Sequence, residues 1–157
     1  RTLAKNAKPN LAYADVAAAA ARGVPLSTPR EIAATIRAIR AKKFPADEGS
    51  AGSFFKNPVV SAQAAEELGK RFPGMPAFPE RDGGVKVSLA WLLDHVLALK
   101  GYAKGPVRLY EKQPLVIVAS RGAKAADVDS LAREVAERVL SATGIQIERE
   151  VETFGIR

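Results

Sequence analysis

The run Leu115-Val116-Ile117-Val118-Ala119-Ser120 carries no charge and is one strand long. A continuous apolar strand is stable only when covered, so the rest of the chain has to wrap it. Helices are available to do so. Thr28 precedes Pro29, and Glu31 completes a T-x-x-E capping box at the head of a helix over residues 29–43. Ile32, Ile36 and Ile39 share one face of it, while Arg37, Arg40 and Lys42 point elsewhere. Ser61 caps a second helix that Pro73 ends, and Ser88 caps a third that Gly101 closes. Asp127 precedes a fourth, with Val128, Leu131, Val135 and Val139 inward and Gly144 at its end.

Between these lie strand-like pieces at residues 10–13, 85–87 and 106–110, an alanine tract at 17–21, and a proline-rich segment at 72–84 that reads as a stiff irregular loop. From Ile145 onward the chain alternates, with Ile145, Ile147 and Val151 on one face and Gln146, Glu148 and Glu150 on the other. Capped helices among short strands predict an α+β domain, helices packed on a small mixed sheet.

Composition narrows the chemistry. A chain of 157 residues with 47% hydrophobic and 26% charged residues can build a packed core. It has no cysteine and one histidine, which excludes disulfides and thiol catalysis and argues against a zinc centre or a Ser-His-Asp triad. Any reaction has to use Ser, Lys, Tyr, Asp, Glu or a bound cofactor, and no glycine-rich phosphate loop is visible to hold one. The formal charge of +7 suits an anionic partner or simple solubility. No apolar run is long enough to span a membrane, and no signal-peptide pattern opens the chain.

One stretch does not look like ordinary packing. In Ala51-Gly52-Ser53-Phe54-Phe55-Lys56-Asn57-Pro58, two rings anchor a loop carrying a hydroxyl, an ammonium and an amide. Ser53 reads either as a proton donor or as a turn hydroxyl; without a glycine after it or a histidine near it in sequence, it is no acylated nucleophile. Lys56 and Asn57 can bind a phosphate or carboxylate, or merely shape the turn. His95, on an apolar helix, reads as a partly buried structural residue, and Trp91 and Phe72 as packing. Glu148 and Glu150 stand two apart on one side of the last strand, either as paired acids or as a solvated face.

The blocks AGSFFKNPVVSAQAAEEL, VKVSLAWLLDHVLALKGYAKG, QPLVIV and IEREVETFG, spread over nearly the whole chain, resemble the carboxy-terminal part of the UDP-N-acetylenolpyruvoylglucosamine reductase family of peptidoglycan precursor synthesis. The resemblance implies a tail of a flavin-binding second domain over residues 1–44 and a substrate-binding third domain over 45–144, opening at Phe44 or Pro45. Residues 145–157 would then return towards the first domain. It implies a cytoplasmic flavoenzyme in which NADPH reduces FAD and the flavin passes hydride to the enolpyruvyl double bond of the UDP sugar. By the same likeness, Ser53 is the proton donor and Glu150 an acid or electrostatic support at the reacting bond. Tyr13, Lys43, Asn57 and Gln113 would bind the substrate, UDP-N-acetylglucosamine enolpyruvate. The amino-terminal flavin portion and the second domain's active-site arginine would lie outside this chain, so the chain alone is expected neither to hold FAD firmly nor to turn over. Ala119 stands where the family usually has asparagine. The alternative is an anion or nucleic-acid binding module exploiting the basic surface.

Overall fold

The computed structural model describes residues 9–43 and 47–155, without the side chains of residues 42 and 43. The expected domain opening at Phe44 or Pro45 and the side chain of Lys43 lie outside the described residues. The chain divides into two compact units, Arg1–Ala46 and Asp47–Arg157.

The first unit is a pair of helices, α1 (Ala14–Ala21) and α2 (Pro29–Lys43). The strand expected at residues 10–13 is absent. Asn10 Oδ1 instead accepts a hydrogen bond from the Ala12 N–H, and the Tyr13 carbonyl opens α1 by accepting from Val16 and Ala17. Five alanines, the strongest helix formers, extend the helix from there. The capping box forms as expected: Thr28 N–H donates to the Glu31 carboxylate at 2.9 Å and Glu31 N–H to Thr28 Oγ1 at 3.2 Å. Among the described residues of this unit, Val16, Ala19 and Leu26 are buried.

The described residues of the second unit form two sheets and three helices. β1 (Gly49–Ser53), β7 (Gln113–Ala119), β6 (Val107–Tyr110) and β5 (Ala103–Lys104) lie side by side in that order; β2 (Val59–Val60), β4 (Val85–Val87) and β3 (Ala77–Pro79) form the second sheet. All the pairings are antiparallel, which corrects the expected mixed sheet. The connections β3–β4, β5–β6 and β6–β7 are short turns, and a parallel pair needs a long crossover instead. The proline-rich segment is likewise more ordered than expected. Its middle, residues 77–79, is strand β3, an edge position where prolines cost no ladder bond, and Gly83 at φ 86° lets the chain turn back into β4.

Helix α3 (Ala62–Arg71) is capped by Ser61 Oγ, which accepts from Ala64 N–H. Ser88 caps α4 (Leu89–Trp91), but α4 is a single α-turn continued by a π-turn over Leu92–Val96. The expected closing glycine is therefore not its cap. Ala98 takes the left-handed conformation at φ 51°, Leu99 N–H bonds back to Leu93 O, and Gly101 belongs to the next turn. This widened end keeps Leu89, Leu92, Leu93 and Leu99 all buried. Helix α5 (Ala125–Thr143) starts three residues earlier than its sequence signal suggested: Lys124 is its N-cap, and Asp127, inside the first turn, accepts from the Lys124 N–H at 2.8 Å. Gly144 ends it at φ 76°, as expected.

The core lies where α5 and α4 cover one face of the larger sheet. Leu131, Val135 and Val139 join Leu109, Leu115, Ile117, Leu92 and Phe55 in one buried cluster. Tyr110, Val116 and Val118 form a smaller buried group on the opposite face of that sheet. Beyond α5, Ile145 and Ile147 are buried and Gln146, Glu148 and Glu150 exposed, so the expected alternation is present. The expected regular strand is not; a single bridge joins Phe55 to Arg149.

Candidate functional site

The site begins with one extra residue. Along β1, Gly49 faces Ala119 and Ser50 faces Val118, yet Ser53 faces Val116, so three steps on β1 answer two on β7. Gly52 sits in this bulge at φ 85°, a conformation that strains a side-chain-bearing residue. Because side chains alternate along a strand, one inserted residue reverses the face of all that follows. Ser53 thereby shares the Val116 face, away from α5, and is exposed.

The next two residues pin the turn. Phe54 N–H bonds to Leu115 O at 2.7 Å, and both rings are buried, 5.1 Å apart and edge to face. On the other side of the turn runs the segment after α5. Glu150 N–H donates to Phe54 O and Lys56 N–H to Glu148 O, each at 2.9 Å, bracketing the Phe55–Arg149 bridge. Glu148 and Glu150 are the exposed alternates of the buried Ile145 and Ile147. Lys56 Nζ lies 3.1 Å from Glu148 Oε2, both well exposed. The exposed hydroxyl and ammonium of the turn are thus tied through backbone hydrogen bonds between residues 54–56 and 148–150 to the segment that carries the two exposed carboxylates.

The remaining expected residues fall in different places. Asn57 is exposed, but its Oδ1 accepts from Leu89 N–H at 3.0 Å at the head of α4, so its NH2 is the half left to meet a ligand. Gln113 is exposed at the start of β7, with Leu115 N–H donating to its Oε1 at 3.5 Å. Tyr13 is 63% exposed and belongs to the first unit. Ala119 is half-buried, paired with both Gly49 and Val107. His95 is exposed rather than partly buried, because the π-turn carries it outward, where it stacks on Trp91 at 4.8 Å.

Three ionic clusters escaped the sequence reading, since each joins residues distant in the chain. Arg108 holds Glu48 with two nitrogens, one at 2.7 Å, and Ser120 donates to the same carboxylate, tying the approach to β1 onto β6. Hydrogen bonding to Arg108 holds the Glu48 carboxyl below its usual range. Glu134 on α5 receives Lys104 and Tyr102 at 2.7 Å each and Arg138 at 2.6 Å; the Lys104 and Tyr102 bonds lower its pKa to about 2. Arg149 bonds Asp129 at 2.6 Å.

The charge distribution was legible but missed. Residues 1–46 contain nine basic and two acidic residues, whereas 47–157 contain fifteen of each, so the whole excess belongs to the first unit. Arg30, Arg37 and Arg40 are exposed on α2, and so is Ile36, whereas Ile32 and Ile39 of the expected apolar face are partly buried.

Among the described residues no cluster of His, Asp or Glu could hold a metal ion, and no helix is long and apolar enough to cross a membrane. A cleft of about 320 Å³ lined by Pro58, Val60, Leu68, Arg71, Gly144 and Gln146 contains none of the expected site residues.

Comparison with known proteins gives a consistent result. The family model described as UDP-N-acetylenolpyruvoylglucosamine reductase, C-terminal domain, matches residues 44–154. Proteins named UDP-N-acetylenolpyruvoylglucosamine reductase match over most of the chain. One from Azoarcus sp. (strain BH72) is 44% identical over 88% of this chain and 40% of its own length. One from Shewanella oneidensis is 38% identical over 98% and 45%, and one from Neisseria meningitidis 39% identical over 90% and 42%. The chain therefore spans less than half the length of these curated relatives.

Proposed function

The chain belongs to the UDP-N-acetylenolpyruvoylglucosamine reductase family through its C-terminal domain, and from that premise we propose that it is the substrate-binding and proton-donating portion of such a reductase, acting in the cytoplasm in peptidoglycan synthesis. The reaction is reduction of the enolpyruvyl double bond of UDP-N-acetylglucosamine enolpyruvate to UDP-N-acetylmuramate. FAD, recharged by NADPH, supplies the hydride in the parent enzyme; this reading assigns both to the part of the relatives that this chain does not span, so the chain by itself is inactive.

What this chain contributes is a proton and a grip. Hydride addition to one carbon of the double bond leaves the other as an enol or carbanion that has to take up a proton. The Ser53 hydroxyl is a weak acid in water, but such an intermediate is a strong base, and a site closed to solvent favours the transfer. Glu150, on the segment hydrogen-bonded to the Ser53 turn, is assigned as acid or electrostatic support. Asn57, through its NH2, and Gln113 suit the polar nucleotide, while Lys43 and Tyr13 supply a cation for the diphosphate and a ring for the uracil. Domain limits at residues 44–45 and 144 accompany this reading.

The observation that supports it is the bulge, which exposes Ser53 on a turn whose next residues hydrogen-bond to the segment carrying Glu150. In the full-length reductase, Ser53→Ala is expected to leave flavin reduction by NADPH intact and to slow reoxidation by substrate by roughly 10²–10⁴-fold, the range for loss of a positioned general acid. Equal slowing of both half-reactions rejects Ser53 as the donor.

The concentration of charge in residues 1–46 favours a second reading, an anion or nucleic-acid binding module. Salt-sensitive retention of random oligonucleotides by this chain supports that module. Selective NMR shifts at Asn57 and Gln113 on adding UDP-N-acetylglucosamine support the reductase portion.

A further inference from the structure

Glu150 stands on weakly held backbone. The segment after α5 is no regular strand. Its pairing with the Ser53 turn consists of one bridge flanked by two hydrogen bonds, and residues 152–155 are exposed. Yet a proton donor and an acid have to hold a fixed separation, because a misplacement of about 1 Å costs as much as roughly 10²-fold in rate. Something has to stiffen this junction.

Among the described residues two ionic contacts touch the segment, and they differ in kind. The Lys56–Glu148 pair is 55% and 75% exposed, a screened surface contact between flexible side chains that holds little. Arg149 is better placed. Its guanidinium is 33% exposed and lies 2.6 Å from Asp129 Oδ1 on α5, the longest helix of the unit. The same group stands 5.8 Å from the centre of the Phe54 ring, and the Arg149 backbone forms the bridge with Phe55. One residue thus reaches α5, the first ring of the turn and the backbone of the second, and it is the immediate neighbour of Glu150. Asp129 also receives Arg133 at 2.8 Å, which fixes the carboxylate against its own helix. Hydrogen bonding from Arg149, ahead of the contribution of Arg133, keeps that carboxyl below its usual range.

We propose that Arg149 is a positioning residue: through Asp129 and Phe54 it clamps residues 148–150 and the Ser53 turn to α5, and so sets the distance between the Ser53 hydroxyl and the Glu150 carboxylate. This rests on the reading of Ser53 as proton donor. Arg149 acts from the inward side of its segment, with its charge engaged by Asp129, and does not touch the substrate.

The test compares Arg149→Gln, Asp129→Asn, the double variant and Arg149→Lys with Ser53→Ala, all in the full-length reductase, by stopped-flow measurement of the two half-reactions. Arg149→Gln and Asp129→Asn are each expected to slow reoxidation about tenfold or more, with flavin reduction by NADPH and the substrate Kd both within about threefold of the parent. The double variant is expected to be no slower than the slower single, because both remove the same contact. Arg149→Lys should recover part of the loss. Reoxidation within twofold of the parent in Arg149→Gln, while Ser53→Ala is slow, overturns the clamp and leaves the proton-donor reading standing. If Ser53→Ala is also unimpaired, the reading beneath it fails. A tenfold weaker substrate Kd in Arg149→Gln with Asp129→Asn unchanged makes Arg149 a ligand and overturns the inference. So does equal slowing of both half-reactions, which reports loss of fold.

Discussion

Replacing Phe55 by alanine tests whether the aromatic pair holds the turn in place. The ring is 1% exposed and sits in the main core cluster, edge to face with Phe54. Core Phe→Ala changes cost about 3–5 kcal/mol, of which an edge-to-face partner accounts for about 0.5–1.5. The spread reflects how far a site can collapse into the void. Here collapse is restricted, because the residues on either side are tied in opposite directions, Phe54 N–H to Leu115 O and Lys56 N–H to Glu148 O. The upper half of the range, about 4 kcal/mol, is therefore expected. For a unit of this size that corresponds to a Tm lower by about 15 °C or more. Trp91, the chain's single tryptophan, packs partly buried against the same cluster, so its emission reports unfolding of this unit in urea. The midpoint should fall with the slope unchanged. A loss below about 1 kcal/mol would refute the argument that the ring pins the turn. Phe154→Ala is the control: at 85% exposed it should change stability by no more than about 0.5 kcal/mol.

Asn57 separates two roles. Asn57→Asp keeps an acceptor for Leu89 N–H at a helix N-terminus and is expected to hold stability within about 0.5 kcal/mol, whereas Asn57→Ala should lose about 1 kcal/mol. Under the proposed function, both should weaken substrate binding by the full-length reductase in calorimetry, the aspartate more, because it replaces the NH2 proposed to meet the nucleotide with a negative charge. Glu134 predicts a pH dependence. Its folded pKa of about 2 lies below the ordinary 4.5, so its stabilisation is complete above the unfolded value and is lost as pH falls towards 2. Glu134→Gln should therefore melt below the parent at about pH 6, with the gap closing by about pH 2.5; a gap that stays constant across that range would contradict the assignment.

Helix starts and stops were legible because their causes lie within a few residues. The Thr28–Glu31 box, the Ser61 and Ser88 caps and the left-handed Gly144 are local bargains between a side chain or a missing Cβ and the nearest backbone. The burial of Val116, Ile117 and Val118, and the alternation from Ile145 onward, follow from water's aversion to apolar surface, which the residue order records directly. The opening loop was also legible as unusual, since two adjacent rings among polar tips fit no ordinary turn.

What the tertiary structure alone decided is how distant pieces meet. Nothing within β1 says that it will pair with β7, and the bulge that turns Ser53 outward exists only relative to that partner. The same holds for the π-turn, which follows from fitting four leucines into a core built by other elements, and for Arg108 with Glu48, 60 residues apart. Arg149 reads in sequence as one more charge beside two glutamates; its place between Asp129 and Phe54 is set by where α5 lies. Local preferences act over a few bonds and are written in the chain order, whereas register, strand partners and ion pairs depend on positions that exist only once the chain has closed on itself.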